Sequence, residues 1–314
     1  MSKNKSAAWE TARKRWLRYV QTTVKAIEAG KSIPIGPSRK PLVAPRVSAR
    51  KAAPATVVMC SPHPDDESLI GALALRFRQE AGARVVNCAI TLGSNISQKA
   101  RRLGELESAC RALGFELIVP DQPVGLDRVN LANRRDHREE WAAKVETLTE
   151  IFEREIPDVV LAPHGEDFNT THIGTHFLVA DALGAYLERH DRGLFPLIET
   201  EFWAELKQPN LMVGVSAETL ALQLMATAEH GGEVKRNPYH LLQPHRLMNN
   251  VRRGSEVLGG QGGAAQRYFF AELYRVTFMK GGEVVEPRPG SVIIGPKEKV
   301  DVKGLVGKFL PEGA

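Results

Sequence analysis

From residue 55 to residue 203 the chain alternates short apolar runs with longer stretches in which apolar residues return every three or four positions. The runs have strand length, and the longer stretches have the period of a helix with one buried face. Strands are predicted over 56–61, 84–91, 115–119, 158–163 and 197–203, and helices over 67–80, 97–113, 137–155 and 172–189. Gly82, Gly114 and Pro157 stand where helix passes to strand, the punctuation expected of right-handed crossovers between parallel strands. The implied fold class is α/β, a Rossmann-like and mostly parallel sheet with helices on both faces. Beyond 203 the pattern predicts a helix over 217–229, a polar loop rich in His, Asn and Pro, a helix near 244–254 and a strand over 268–279. Residues 281–314 show little periodicity and read as a tail or an edge hairpin.

The N-terminal segment is of another kind. Trp9, Ala12, Trp16, Val20, Val24 and Ile27 mark one face of a helix over 7–29, and Pro34, Pro37, Pro41, Pro45 and Pro54 make 31–54 an extended linker or strap. Three regions are therefore expected: a basic helix and Pro-rich linker (1–54), a catalytic domain (55–280) and the C-terminal segment (281–314). Residues 1–54 hold 13 Lys/Arg against two acidic residues, a balance of +11, while the remainder carries 29 basic and 35 acidic residues, or −6. The basicity belongs to the extension, so a nucleic-acid groove on the body is excluded as its explanation. The extension suits either self-association through 7–29 or adhesion to an anionic membrane surface. No apolar stretch reaches the ~20 residues that span a bilayer, and a secretory leader is not evident. Cys60, Cys88 and Cys110 are an odd set and read as core thiols of a cytoplasmic protein.

The chemistry concentrates in His63-Pro64-Asp65-Asp66-Glu67, between the first strand and the first helix of the body. Reacting groups in open α/β sheets sit at the carboxyl ends of strands. His63 and Asp66 can close on one metal ion and leave Asp65 free beside it, the minimal equipment for activating water. The plainer alternative is that the carboxylates cap the helix and complement its dipole. There is no G-x-G-x-x-G after the first strand, which counts against a dinucleotide site. A second polar cluster follows the strand at 158–163: His164-Gly165-Glu166-Asp167-Phe168-Asn169-Thr170-Thr171-His172, with His176 one helical turn further on. His172 and His176 can both face a metal, and no Glu lies within the pair as a zincin would require.

The Ser61-Pro62-His63-Pro64-Asp65-Asp66-Glu67 stretch resembles the signature of the PIG-L (LmbE-like) de-N-acetylases, zinc enzymes that deacetylate N-acetylglucosaminyl groups. The resemblance runs from about Ala55 to about Lys280. It implies His172 as the third zinc ligand and Asp65 as the base. It also puts Asn169 where the family has a histidine, a departure from the pattern. Arg102 falls where related enzymes place an arginine on substrate hydroxyls, and Asp127 supplies an acidic sugar contact, with Asp121 as a competitor. Asn169 and His176 complete the expected substrate contacts.

An amide at 169 can donate to an oxyanion but cannot deliver a proton near neutral pH. The missing acid is sought among His164, His176, His230 and His240; His240, on the polar loop, is the one expected. The alternative is that Asp65 carries both proton transfers. The reading is thus a zinc-dependent deacetylase acting on an N-acetylglucosamine-type sugar or its conjugate. Its alternatives are a non-catalytic sugar- or nucleotide-binding module and a metal-dependent amidase on a non-sugar amide.

Overall fold

The computed structural model describes residues 2–47, 54–311 and 313, so part of the expected linker, 48–53, lies outside the described residues. The chain divides into two compact units, 1–35 and 36–314. The first is essentially one helix, α1 (Ser2–Gly30), whose Trp9, Trp16, Tyr19, Val20 and Val24 are all exposed. Arg13 lies over the Trp9 ring, 5.8 Å from its centroid, and Trp16 meets Tyr19 edge-on. Among the described residues no helix is long and apolar enough to cross a membrane.

The second unit follows the predicted alternation: β1 (Thr56–Ser61), α2 (Asp66–Leu69), α3 (Ala72–Ala81), β2 (Arg84–Ala89), α4 (Ile96–Leu113), β3 (Glu116–Ile118), α5 (Leu131–Asp136), α6 (Arg138–Glu155), β4 (Val159–Pro163), α7 (Thr170–Arg189) and β5 (Phe195–Thr200). After it come β6 (Leu211–Val215), α8 (Ala217–Glu229), α9 (Gly231–Arg236), α10 (Tyr239–Gly259), β7 (Phe270–Lys280), β8 (Glu283–Val285), β9 (Val292–Ile294) and α11 (Val302–Gly307). One sheet runs in the order β3-β2-β1-β4-β5-β7-β6-β9, with β8 on β7. Strands β1 to β5 pair in parallel, and β7 runs antiparallel to β5, β6 and β8. One apolar core fills the sheet face beneath α3 and α4, the other the face beneath α6 and α7. Strand order reverses direction at β1, between β2 and β4, and that switch point opens the crevice where ligands bind in such sheets.

Several expectations need correction or sharpening. The helix expected over 67–80 is broken at Ile70–Gly71, and the chain there passes so close to the Glu67 carbonyl oxygen that a Cβ at position 71 would meet it at 2.1 Å, which only glycine avoids. The polar loop after α8 is largely helical, as α9, and its His230 is fully buried. Helix α10 begins five residues before Pro244 and contains it, where a start at the proline was expected. Residues 36–47 lie along the second unit: Ala44 N donates to Arg111 O at 3.0 Å, Arg78 to Pro45 O at 2.8 Å, and Leu42 packs on the core. The C-terminal segment joins the sheet. β8 forms a hairpin with β7, β9 runs parallel to β6 at the sheet edge, and Leu305 and Phe309 are core residues.

Candidate active site

Strand β1 ends at Ser61, and the chain turns through His63–Asp65 before α2. The His63 N–H donates to Asp66 Oδ2 at 2.8 Å, which closes the turn and brings imidazole and carboxylate to one side. β4, paired with β1, ends at Pro163, and its loop leads to Asn169 at the N-cap of α7. Asn169 Oδ1 accepts the N–H of Thr171 at 2.9 Å and of His172 at 3.4 Å. His172 is thereby fixed in the first turn of α7, facing the β1 turn.

Three donor atoms meet there. His63 Nδ1 stands 3.3 Å from His172 Nε2, Asp66 Oδ2 is 3.4 Å from His172 Nε2, and His63 Nδ1 is 3.7 Å from Asp66 Oδ2. Donors about 2.0–2.2 Å from one tetrahedral centre stand about 3.3–3.6 Å apart, so two imidazoles and a carboxylate at these separations fit a small divalent cation. Asp66 Oδ1 is buried without a hydrogen-bond partner, a cost that a bound cation would offset. Burial alone would raise the Asp66 carboxyl, but His172 and His63 outweigh it and lower its pKa. Behind His172, Asp167 Oδ2 lies 3.6 Å from Nδ1, the carboxylate–imidazole arrangement that orients a metal-bound histidine. Burial disfavours a charged His172, yet Asp66 and Asp167 together raise its pKa. Asp167 itself accepts the N–H groups of Asn169 at 2.9 Å and Trp203 at 3.2 Å.

Asp65 is not one of the three. Its backbone sits at φ 118°, ψ −27°, a region that side-chain-bearing residues rarely occupy. Its carboxylate faces a cavity of about 170 Å3 shared with His63, Asp66, Arg102, Asn169, Trp203, Glu233, Arg236 and Tyr239. Among the described residues no side chain hydrogen-bonds to that carboxylate. Burial and the Asp66 charge push its pKa well above the usual carboxylate range, with Arg102 opposing. Arg102 donates to Pro64 O at 3.2 Å and Leu92 O at 3.4 Å, and its buried Nε stands 3.7 Å from Glu233 Oε1, with no hydrogen-bond partner among the described residues. Asn169 has spent Oδ1 on the helix cap, which leaves Nδ2 as its free donor into the cavity.

The other expected residues are placed elsewhere. Asp127 lines a neighbouring cavity of about 450 Å3 that shares His63, Gly93 and Ser94, and Lys99 holds it at 2.7 Å. Asp127 and Arg102 thus flank His63 from two lobes. His176 turns to Pro163 O at 3.1 Å and Glu199 at 3.4 Å, away from the donor cluster; burial lowers its pKa. Burial likewise pushes Glu199 up to about 7, with Arg275 opposing. His164 packs against Ala204 O at 3.1 Å, and His230 against Glu67 at 2.6 Å. The expected acid, His240, does not line the Asp65 cavity either. It follows Tyr239 in the first turn of α10, where consecutive residues point about 100° apart, and Tyr239 is the one on the cavity wall. Glu233, Arg236 and Tyr239 belong to the polar stretch 229–240, whose composition suits a cleft-lining loop, although none of the three stands out individually, and Trp203 stands at the carboxyl end of a predicted strand.

Residues 58–183, from β1 into α7, match the family model described as PIG-L: GlcNAc-PI de-N-acetylase. This stretch is similar to the PIG-L family. It contains His63, Asp65, Asp66 and His172, so the donor cluster and the free carboxylate both belong to the PIG-L segment. No curated protein matches the chain. The fold is similar to the conserved protein TT1542 from Thermus thermophilus (17% identity over 71% of this chain and 94% of that one, TM-score 0.52). It is also similar to N,N'-diacetylchitobiose deacetylase from Pyrococcus horikoshii (18%, 72% and 84%, 0.50). A third similar structure is the 4-carboxy-2-hydroxymuconate hydratase GalB from Pseudomonas putida (16%, 72% and 97%, 0.53). At these identities the likeness is one of fold. A fold found in both a deacetylase and a hydratase does not choose the reaction, so function rests on the site.

Proposed function

We propose that the chain is a zinc-dependent hydrolase that removes the N-acetyl group from an N-acetylglucosamine-type amino sugar or its conjugate. The observation that carries this reading is the free, cavity-facing Asp65 carboxylate beside the His63–Asp66–His172 cluster, inside a PIG-L segment. A zinc ion held by those three residues would polarise the acetyl carbonyl and bring the pKa of water toward ~7. Asp65 takes the proton of the attacking water as the new C–O bond forms. It then delivers that proton to the nitrogen as the C–N bond breaks, giving acetate and the free amine. Asn169 presents Nδ2 to the developing oxyanion. Arg102, on the cavity wall, offers its guanidinium to a substrate hydroxyl, and the Trp203 and Tyr239 rings wall the sugar. With none of the four candidate histidines lining this cavity, both proton transfers fall to Asp65.

Acetate release over a panel of N-acetylglucosamine conjugates and non-sugar amides tests the substrate. Release from sugars alone supports the reading, release from non-sugar amides alone supports a different amidase, and no release supports a binding module. We further assign the enzyme to the cytoplasm, with the exposed aromatic and basic α1 at an anionic membrane surface.

A further inference from the structure

The last residue of the His63–Glu67 motif takes no part in the donor cluster. Glu67 is fully buried and uses both oxygens: Oε2 accepts the Asp65 backbone N–H at 3.0 Å, and Oε1 meets His230 Nε2 at 2.6 Å. In this pair His230 Nε2 is the side-chain nitrogen that reaches Glu67. His230 Nδ1 is buried with no partner, so the ring is held in the interior for this one bond. Asp65, whose N–H this pair anchors, is the residue at φ 118°, and such a conformation persists only where its surroundings over-determine it. His230 in turn occupies the corner between α8 and α9. Next to it the buried Glu229 accepts Ser38 N at 3.0 Å and Ser38 Oγ at 2.8 Å, and Gly36 N donates to Ala228 O at 2.6 Å.

We propose that His230 is a positioning residue for the base: through Glu67 it holds the Asp65 backbone in the conformation that aims its carboxylate into the cavity, and the Ser38–Glu229 contact steadies the same corner. This rests on the hydrolase reading for its kinetic consequence, but the geometric part can be measured without turnover. His230→Ala removes the donor, while His230→Gln restores an N–H at a similar reach. In His230→Ala, amide hydrogen exchange at Asp65 is expected to accelerate at least about tenfold, and in His230→Gln to return most of the way. In parallel, kcat of His230→Ala is expected to fall at least about tenfold with KM and zinc content within about twofold of the starting protein. Equal exchange in all three proteins, or Ala and Gln variants impaired alike, would overturn the proposal. If His230→Ala is insoluble, Ser38→Ala decides: faster Asp65 exchange supports it and unchanged exchange overturns it. A wild-type protein without hydrolase activity but with the predicted exchange pattern would sink the function and leave the positioning role standing.

Discussion

Asp65 is where local stability and chemistry conflict. It holds a left-handed backbone with a Cβ attached, and it buries a carboxylate that no side chain among the described residues satisfies. Glycine tolerates that conformation, so Asp65→Gly should raise the unfolding free energy by about 1–2 kcal/mol in a denaturant titration while abolishing turnover. Unchanged or lower stability would show that the strain is absent. Asp65→Asn should keep zinc near normal and lower kcat by about 10² or more, whereas Asp66→Asn should lower metal occupancy. Equal zinc loss in both would mean the two roles are assigned wrongly. Asp167→Asn should weaken zinc affinity by about 10–100-fold with the ligands intact, as measured by competition with a chelator. These roles were unequally legible in the sequence. His63, Asp65 and Asp66 fall within four residues and follow a strand, so pattern alone brings them together. Asp167 behind His172, and His230 behind Glu67, are side-chain contacts made only in the folded chain, and nothing in the order of residues announces them.

At the scale of elements, helical and strand periods located most of the sheet and its crossovers because those segments are long and regular. Breaks within them are local, as at Ile70–Gly71, where the chain passes too close to the Glu67 carbonyl for any residue but glycine. Tyr239 and His240 show the same limit: both lie in a polar, Pro-containing stretch, and only the phase of α10 decides which of them faces Asp65. Helix α1 raises a separate prediction. Its Trp16 is 69% exposed and Trp9 63%, beside Arg13, Lys14, Arg15 and Arg18, a composition suited to an anionic bilayer interface. Removing residues 1–30 should abolish salt-sensitive binding to anionic vesicles and leave activity on a small soluble substrate intact. Insoluble protein after the truncation would show instead that α1 covers apolar surface.

Over the whole molecule, function depends on the place where β1, β4 and β5 deliver their carboxyl ends together. β1 contributes the His63–Glu67 turn, β4 the loop to Asn169 and His172, and β5 the Phe202–Trp203 wall, whose Phe202 ring centroid lies 4.9 Å from that of His172. The antiparallel β7 matches the strand expected over 268–279, but its neighbours β6, β8 and β9 were harder to read, since they are short and flanked by Gly, Pro or Asn. They extend the sheet past β5 and leave the switch point open. The central claim is that a metal held by His63, Asp66 and His172 makes this crevice hydrolytic. It is tested most directly by measuring acetate release and metal content on the same purified protein before EDTA, after EDTA and after zinc is returned. About one zinc per chain is expected at the start, with metal and activity lost together and both recovered. Full deacetylase activity in protein shown by elemental analysis to be free of metal would contradict it.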